Sequence, residues 1–453
     1  MADYKLKKGF DLKVAGKADL KLVELDAPKK AAILPGDFLG LKPKMEVEEG
    51  EVVKIGSPLF HDKNNEKIKF SSPVSGKVLA INRGDRRKIV EVVIENDSKN
   101  ESEKFMVVKA DTVGSLKKED IVENLLKSGM WPLLRQRPFN KIANPDVEPR
   151  DIFISAMDTA PLAADVNFIM KDEADDFQLG IDILAKLTTG KVYLSINGKA
   201  DNLSALKNAK NAEINTFSGP HPAGNVGVHI HHIKPIKSGD KIWYLQPYAV
   251  ALIGKFFRTG QYPNTRIIAT AGTALNERQY YKVTLGTPIA SLISEGNINH
   301  PEARFVSGNV LTGRKVSAAG YTGFYDNLIS VIPEGPKERK LFGWYRLGLK
   351  TRSFNRSFLS AWVGPKEYEV NTLINGGKRA FVATGDYEKV IPMDIYPVYL
   401  IKSILAEDIV EMEGLGILEV DEEDVALCSY ICPSKFDFGG ILRQGLDLVE
   451  KEG

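Results

Sequence analysis

Between residues 151 and 258 the chain alternates strand-length apolar runs with segments of helical periodicity, and this alternation constrains its fold more than any other feature. The runs at 151–156 (DIFISA) and 191–196 (KVYLSI) have the length and β-branched content of buried strands, and 212–217 supplies a third. Between the first two, Leu179, Ile183, Leu184 and Leu187 recur at helical spacing ahead of Gly190. Residues 202–211 read as a short helix, and 247–258 as an apolar helix with proline in its first turn. Neighbouring parallel strands need a crossover connection, so strands joined by helices predict a layered, Rossmann-like α/β sheet.

The first hundred residues have a different texture. Short alternating runs (Val47, Val52, Val53 and Ile55; Ile68 and Phe70; Val78, Leu79 and Ile81) are broken by Gly50, Gly56, Pro73, Gly76 and Gly84. The spacing predicts a small β-sandwich or barrel, and the pattern resembles the biotinyl/lipoyl carrier fold. Such a carrier presents a modified lysine at a hairpin tip. Here the tip reads Asp62-Lys63-Asn64-Asn65-Glu66, without the flanking motif, so the expectation is the scaffold without its swinging arm. A polar run at 96–111 marks a boundary, and 120–129 reads as an amphipathic helix closed by Gly129. Strands at 266–270 and 281–285, with 286–293 and 306–313, are similar to a soluble-ligand-binding β-grasp (SLBB) module. From Val398 onward the chain is acidic and helical. The expected architecture is α/β multidomain: a barrel-sandwich domain at 1–105, a Rossmann-like domain at 106–265, a β-grasp domain at 266–335 and a mainly helical domain at 336–453.

At 453 residues the chain is too long for one core. Its net charge of +2 gives no electrostatic case for nucleic acid or an anionic membrane. Apolar stretches such as 248–253 and 398–401 fall far short of the roughly 20 residues of a spanning helix. The N-terminus has no apolar signal core, and two cysteines argue against a disulfide framework. The expectation is a soluble cytoplasmic chain that only a partner would hold at a membrane.

Four of the six histidines fall between His221 and His232. Read as a strand from Val226, the segment places His229 and His231 on one face and His232 on the other, with Val228 and Ile230. Two convergent imidazoles with no thiol or acid close by in sequence fall short of a zinc set, so no metal is assigned. The string FSGPHPAG (217–224), followed by Gly-x-His-Ile-His at 227–231, resembles the signature of the A subunits of sodium-translocating NADH:quinone reductases. The likeness runs the full length, through LRQRPF (134–139), AMDTAPLAAD (156–165), LTTGKVY (187–193), VIPEG (331–335), LFGWYRLG (341–348) and the final LVEKEG.

The resemblance implies a peripheral component on the cytoplasmic side of the bacterial inner membrane. Its complex would pass electrons from NADH to a membrane quinone such as ubiquinone and export sodium. FMN, FAD, riboflavin and iron centres would reside in other subunits, and this chain would dock on the membrane-embedded B subunit. The domain order also resembles the C subunit of the Rnf complex and, the carrier-like fold aside, the NADH-oxidising flavoprotein of complex I. Those relatives bind FMN and NADH on a glycine-rich loop, where backbone amides approach phosphate. The matching segment here, WPLLRQRPF (131–139), is bulky, and 219–227 contains prolines that lack an amide donor. Only Cys428 and Cys432 remain where relatives have four cluster-ligating thiolates, so the pair reads as core. Glu48 with Glu49 and Glu422 with Glu423 read as solvated charge. A quinone ring needs a flat apolar slot with one or two donors to its carbonyls. Trp131, Arg135, Arg137 and Phe139 offer that mixture, with His229 and His231 as further donors, and these six are the candidate quinone-binding residues. The alternative is an assembly scaffold with no ligand of its own.

Overall fold

The computed structural model describes residues 2–335 and 348–453, so the 341–348 motif lies outside the described residues except for Gly348. Two small sheets form the barrel-sandwich: a four-stranded one (Lys30–Ile33, Ile89–Asn96, Gly76–Arg83, Val52–Val53) and a three-stranded one (Pro43–Met45, Pro58–Asp62, Asn65–Ser71). Leu59, Phe60, Phe70, Val78, Val92 and Ile94 fill the space between them. Asp62 pairs with Asn65, leaving Lys63 and Asn64 as an exposed two-residue turn.

The Rossmann-like sheet has seven strands in the order Asp3–Lys5, Glu213–Ser218, Val192–Asn197, Asp151–Ala156, Ile242–Leu245, Arg135–Arg137, Lys141–Ile142. The first five run parallel, and the Arg135–Ile142 hairpin closes the edge antiparallel. From Asp151–Ala156 the chain adds two strands in one direction, Val192–Asn197 and Glu213–Ser218. It then returns to add Ile242–Leu245 on the other side. The gap between Asp151–Ala156 and Ile242–Leu245 is therefore a topological switch point, where loops diverge and leave a crevice. Helices Ala174–Leu184 and Pro247–Thr259 cover one face and cross closely. A Cβ at Gly254 would lie 1.8 Å from the Asp176 carbonyl oxygen, and one at Gly180 2.1 Å from that of Val250.

The His229 segment is not a strand. Val226–Ile233 is an α-helix that follows Asn225 at its N-cap position. Val226 and Ile230, one turn apart, pack with Phe153, Tyr193, Ile242 and Tyr244 on the sheet, while Val228 enters the C-terminal core. Burial on two sides places apolar residues on opposite faces of the helix, and the alternation of Val226, Val228 and Ile230 then mimics a strand. His229 and His232, three apart, share a face instead of His229 and His231.

A six-stranded sheet (Arg314–Val316, Ala303–Ser307, Leu328–Pro333, Thr265–Ala271, Tyr280–Thr284, Leu22–Glu24) with the Ile289–Leu292 helix forms the β-grasp unit. The N-terminal segment thus threads both large sheets before entering the barrel. The C-terminal helices begin at Pro397; residues 348–396 carry only the short turns Ser360–Val363 and Tyr387–Lys389, consistent with breakers at Gly364, Pro365, Gly376, Gly377 and Gly385. Cys428 and Cys432 are fully buried thiols in the core of this unit, alongside Tyr387 and Phe438. Among the described residues, no helix is long and apolar enough to cross a membrane.

Candidate functional site

A cleft of 450 Å³ opens at the switch point of the parallel sheet, at the C-terminal ends of its strands. Ser155 and Met157 form its floor after one strand, and Leu245 to Tyr248 after the other. The β-grasp unit contributes Ser307 to Asn309 and Tyr325 to Leu328, the barrel contributes Asp37, and the C-terminal unit contributes Asp421 to Glu423. The volume suits a small organic ligand, and Val166, Ile169, Met170 and Leu328 make one wall apolar.

Two arginines line this cleft, Arg314, which is paired with Asp37, and Arg135. Arg135 pairs in register with Tyr244 on the adjacent strand, and its guanidinium lies 5.1 Å from the Tyr244 ring centre and 4.8 Å from that of Tyr325. Its Nη2 donates to the Asn140 amide oxygen. Among the described residues no carboxylate lies within 4.0 Å of it. The tyrosine hydroxyls are committed elsewhere: Tyr325 donates to the Pro132 carbonyl (2.6 Å), Tyr248 to the Tyr325 carbonyl (2.7 Å), and Tyr244 to Asn140. Asp37, across the cleft, accepts from the Phe324 backbone N–H at 2.7 Å and pairs with Arg314 at 2.5 Å, which fixes the loop carrying Tyr325. Burial pushes the Asp37 carboxyl up to about 6 even though Arg314 opposes the shift.

Arg137, two residues on and on the same face of its strand, is sealed away at 1% exposure. Its Nη2 donates to Glu423 at 3.0 Å and lies 3.5 Å from Asp421; its Nη1 is 3.8 Å from Asp424. Arg443 reaches the same group from the Phe438–Glu452 helix, donating to Asp421 (2.8 Å), to Glu422 (2.6 Å) and to the Phe139 carbonyl (3.0 Å). Four consecutive carboxylates thus open the Glu422–Ile431 helix, where Asp421 and Asp424 form a reciprocal capping box. The reading of Glu422 and Glu423 as solvated charge is overturned, because both sit against buried guanidiniums. Burial pushes the Asp421 carboxyl up, but Arg137 and Arg443 outweigh it and leave its pKa lowered, while burial and the neighbouring acids raise Glu422, Glu423 and Asp424. Glu423 keeps 38% of its side-chain surface open, but that surface faces the enclosed cleft, so desolvation prevails over its bond to Arg137.

Asp424 also occupies the N-terminus of the Val226–Ile233 helix. It accepts from Asn225 Nδ2 at 3.0 Å, and a Cβ at Gly227 would lie 2.4 Å from its Oδ2. The helix end where an anion would be held already carries a carboxylate of the chain itself.

The other candidate residues lie outside the cleft lining. Trp131 is core, its indole N–H donating to the Ala143 carbonyl at 2.7 Å, with Trp243 edge-on at 5.3 Å. Phe139 packs toward the C-terminal core in a left-handed turn (φ 78°). His229 is fully buried against Phe217, bonded to the Ala223 carbonyl at 2.8 Å, and burial drops its pKa to about 4. His231 meets Glu419 at 2.8 Å and accepts from the Asp394 backbone N–H. Sequence reasoning missed Tyr244, Tyr325, Asn140 and His221. Only the Asp-x-x-Asp spacing at 421–424 carried a local signal, as a helix start.

Arg137→Ala is expected to destabilise the chain by about 3–5 kcal/mol at pH 8, the cost of leaving buried charge uncompensated. A carboxyl whose folded pKa lies above its unfolded value destabilises the fold at high pH and stops doing so once both states are protonated. The deficit in thermal unfolding should therefore shrink as pH falls from 8 toward 5, through the raised pKa values of Glu422 and Glu423. A deficit constant over that range contradicts the ion-cluster account.

Three domain families match the chain, and they follow the units of the fold. Residues 4–97 match the family described as the NqrA N-terminal barrel-sandwich hybrid domain, 116–262 the NqrA second alpha/beta domain, and 267–318 the NQRA C-terminal domain, named for SLBB. The chain is 40% identical over 450 residues to the A subunit of the Na(+)-translocating NADH-quinone reductase of Neisseria meningitidis serogroup B, covering 99% of this chain and 100% of that one. It is likewise 40% identical over 452 residues to the protein of that name from Yersinia pseudotuberculosis serotype O:1b, again with 99% and 100% coverage. Among solved structures, an NAD+-reducing NiFe-hydrogenase in the H2-reduced state aligns with a TM-score of 0.41 at 10% identity, over 76% of this chain and 64% of that chain.

Proposed function

The chain belongs to the NqrA family, the A subunits of Na(+)-translocating NADH-quinone reductases, and from that premise we propose that its switch-point cleft seats the head group of the quinone. The observation that carries this reading is Arg135: a guanidinium without a carboxylate partner among the described residues, held between two tyrosine rings in an enclosed cleft. A cation so placed donates to a neutral carbonyl oxygen and stabilises the negative charge that oxygen acquires when electrons arrive. The rings of Tyr244 and Tyr325 offer flat surfaces, and the Val166–Met170 wall suits methyl and isoprenoid groups. The carboxylates near Arg135, with Asp421 linked to it through Asn140, disfavour a phosphate-bearing ligand, and Asp424 at the helix N-terminus supports the expectation that FMN and NADH are bound by other subunits.

The reaction proposed for the assembled complex is electron transfer from NADH to quinone coupled to sodium export, with this chain as its peripheral part on the cytoplasmic side. Docking on the membrane-embedded B subunit is assigned to the Pro397–Leu405 and Ile409–Gly414 helices. Tyr399, Leu405 and Val410 stand exposed there, at 62, 53 and 83%. Scattered apolar residues are ordinary on a surface, so the double substitution below decides whether these mark a contact.

Arg135→Ala should weaken binding of a short-tail quinone to the full chain, read by tryptophan fluorescence and calorimetry, about ten- to a hundredfold, the 1.5–3 kcal/mol of a hydrogen bond to a charged group. Unchanged affinity with intact folding would remove the cleft as the quinone site. Separately, Tyr399→Asp with Val410→Asp is expected to leave the isolated chain folded but abolish its co-purification with the membrane-embedded partners. Normal assembly of that double variant rejects the docking surface.

A further inference from the structure

The histidine-bearing loop at 217–225 adds His221, Gly224 and Asn225 to the cleft wall, and the imidazole has no role in the site assigned so far. His221 is 3% exposed, and its Nε2 has no hydrogen-bond partner among the described residues. Buried donors of this kind are rarely left orphaned, and each costs free energy until a partner arrives. His231 and His232 bond oxygens within the protein, and His229, whose Nδ1 is also unpartnered, lies outside the cleft lining.

We propose that His221 donates from Nε2–H to one carbonyl oxygen of the quinone while Arg135 holds the other. This inference rests on the quinone reading of the cleft and assigns the second donor within it.

The tautomer follows from the hydrogen-bond network. Thr159 Oγ1 accepts the Gly224 backbone N–H at 2.9 Å and lies 3.1 Å from His221 Nδ1. Among the described residues the hydroxyl proton has that nitrogen as its acceptor, so Thr159 donates to Nδ1. A neutral imidazole has one N–H, and that proton is then on Nε2. Burial lowers the His221 pKa to about 4, against a smaller opposing pull from Asp11, so the ring is neutral at cellular pH.

The backbone around the ring is pinned on both sides. The His221 N–H donates to Asp11 at 2.9 Å, and its carbonyl accepts the Phe10 N–H at 2.8 Å. Ser155 Oγ donates to the Gly224 carbonyl at 2.9 Å, which lays the loop over the end of the Asp151–Ala156 strand. Arg135 lines the same cleft two strands away, across Ile242–Leu245. A six-membered ring with carbonyl oxygens at opposite ends accepts one hydrogen bond from each of two such donors lining one cleft.

The test is isotope-edited infrared difference spectroscopy on the full chain with a short-tail benzoquinone carrying labelled carbonyls, beside its binding titration. In the wild type both carbonyl stretches should fall below their free values. In His221→Phe one should return to near its free value, with affinity about tenfold weaker and the thermal midpoint little changed. His221→Gln, whose amide can reach a similar position with an N–H, should keep the lowered stretch. Two lowered stretches in His221→Phe with wild-type affinity would overturn the assignment while leaving the quinone site intact. Absence of saturable quinone binding in the wild type overturns the cleft reading and this inference with it. Should His221→Phe fail to fold, nitrogen NMR of the wild-type imidazole decides: a protonated Nε2 that shifts on quinone addition supports the donor, and a protonated Nδ1 rejects it.

Discussion

Arg137 is the constraint on which the arrangement of domains depends. A guanidinium at 1% exposure is tolerable only where carboxylates and hydrogen bonds replace water, and Asp421, Glu423 and Asp424 supply them from a different domain. The Arg135–Ile142 hairpin and the Glu422–Ile431 helix must therefore meet. Arg443 repeats the tie from the last helix, and through the Phe139 carbonyl it reaches the same hairpin turn. A planar guanidinium suits this role better than an ammonium, because its forked donors address several carboxylates at once.

Once those two elements are joined, the cleft acquires its fourth wall. The parallel sheet provides a crevice wherever its strand order reverses, and the β-grasp unit covers it from above with Tyr325. The acids that hold Arg137 also line one end of the crevice, and Asp424 fills the helix terminus beside it. The fold thus keeps the position of a nucleotide crevice while presenting to it a cation between aromatic rings, an apolar wall and a buried imidazole. That chemistry favours a neutral, flat, carbonyl-bearing ligand over a phosphate.

Much of the architecture was legible because it rests on local periodicity. The strands at 151–156 and 192–197, the helix ending at Gly129 and the turn at Lys63-Asn64 follow from alternation, helical spacing and turn chemistry. The Val226–Ile233 helix escaped because it is buried between the sheet and the C-terminal core, where β-branched residues fill the apolar positions and erase the helical period. Glu422 and Glu423 escaped because an acidic run looks the same whether water or a distant arginine faces it. The LRQRPF motif drew attention to Arg135 and Arg137 together, but only tertiary structure separates them, one into a cleft and the other into an ion cluster. Tyr325 and His221 join the site from segments some 190 and 86 residues away from Arg135 in sequence, a distance no local pattern reports.

The most direct measurement is a crystal structure of the full chain soaked with a brominated short-tail quinone, located by the anomalous signal of bromine. A single strong peak inside the cleft, within contact of Arg135 and Tyr325 and on the same side as His221, is the expected result. Saturating quinone with its bromine peak confined to another surface, and an empty cleft, would contradict the proposed role of this chain in quinone binding.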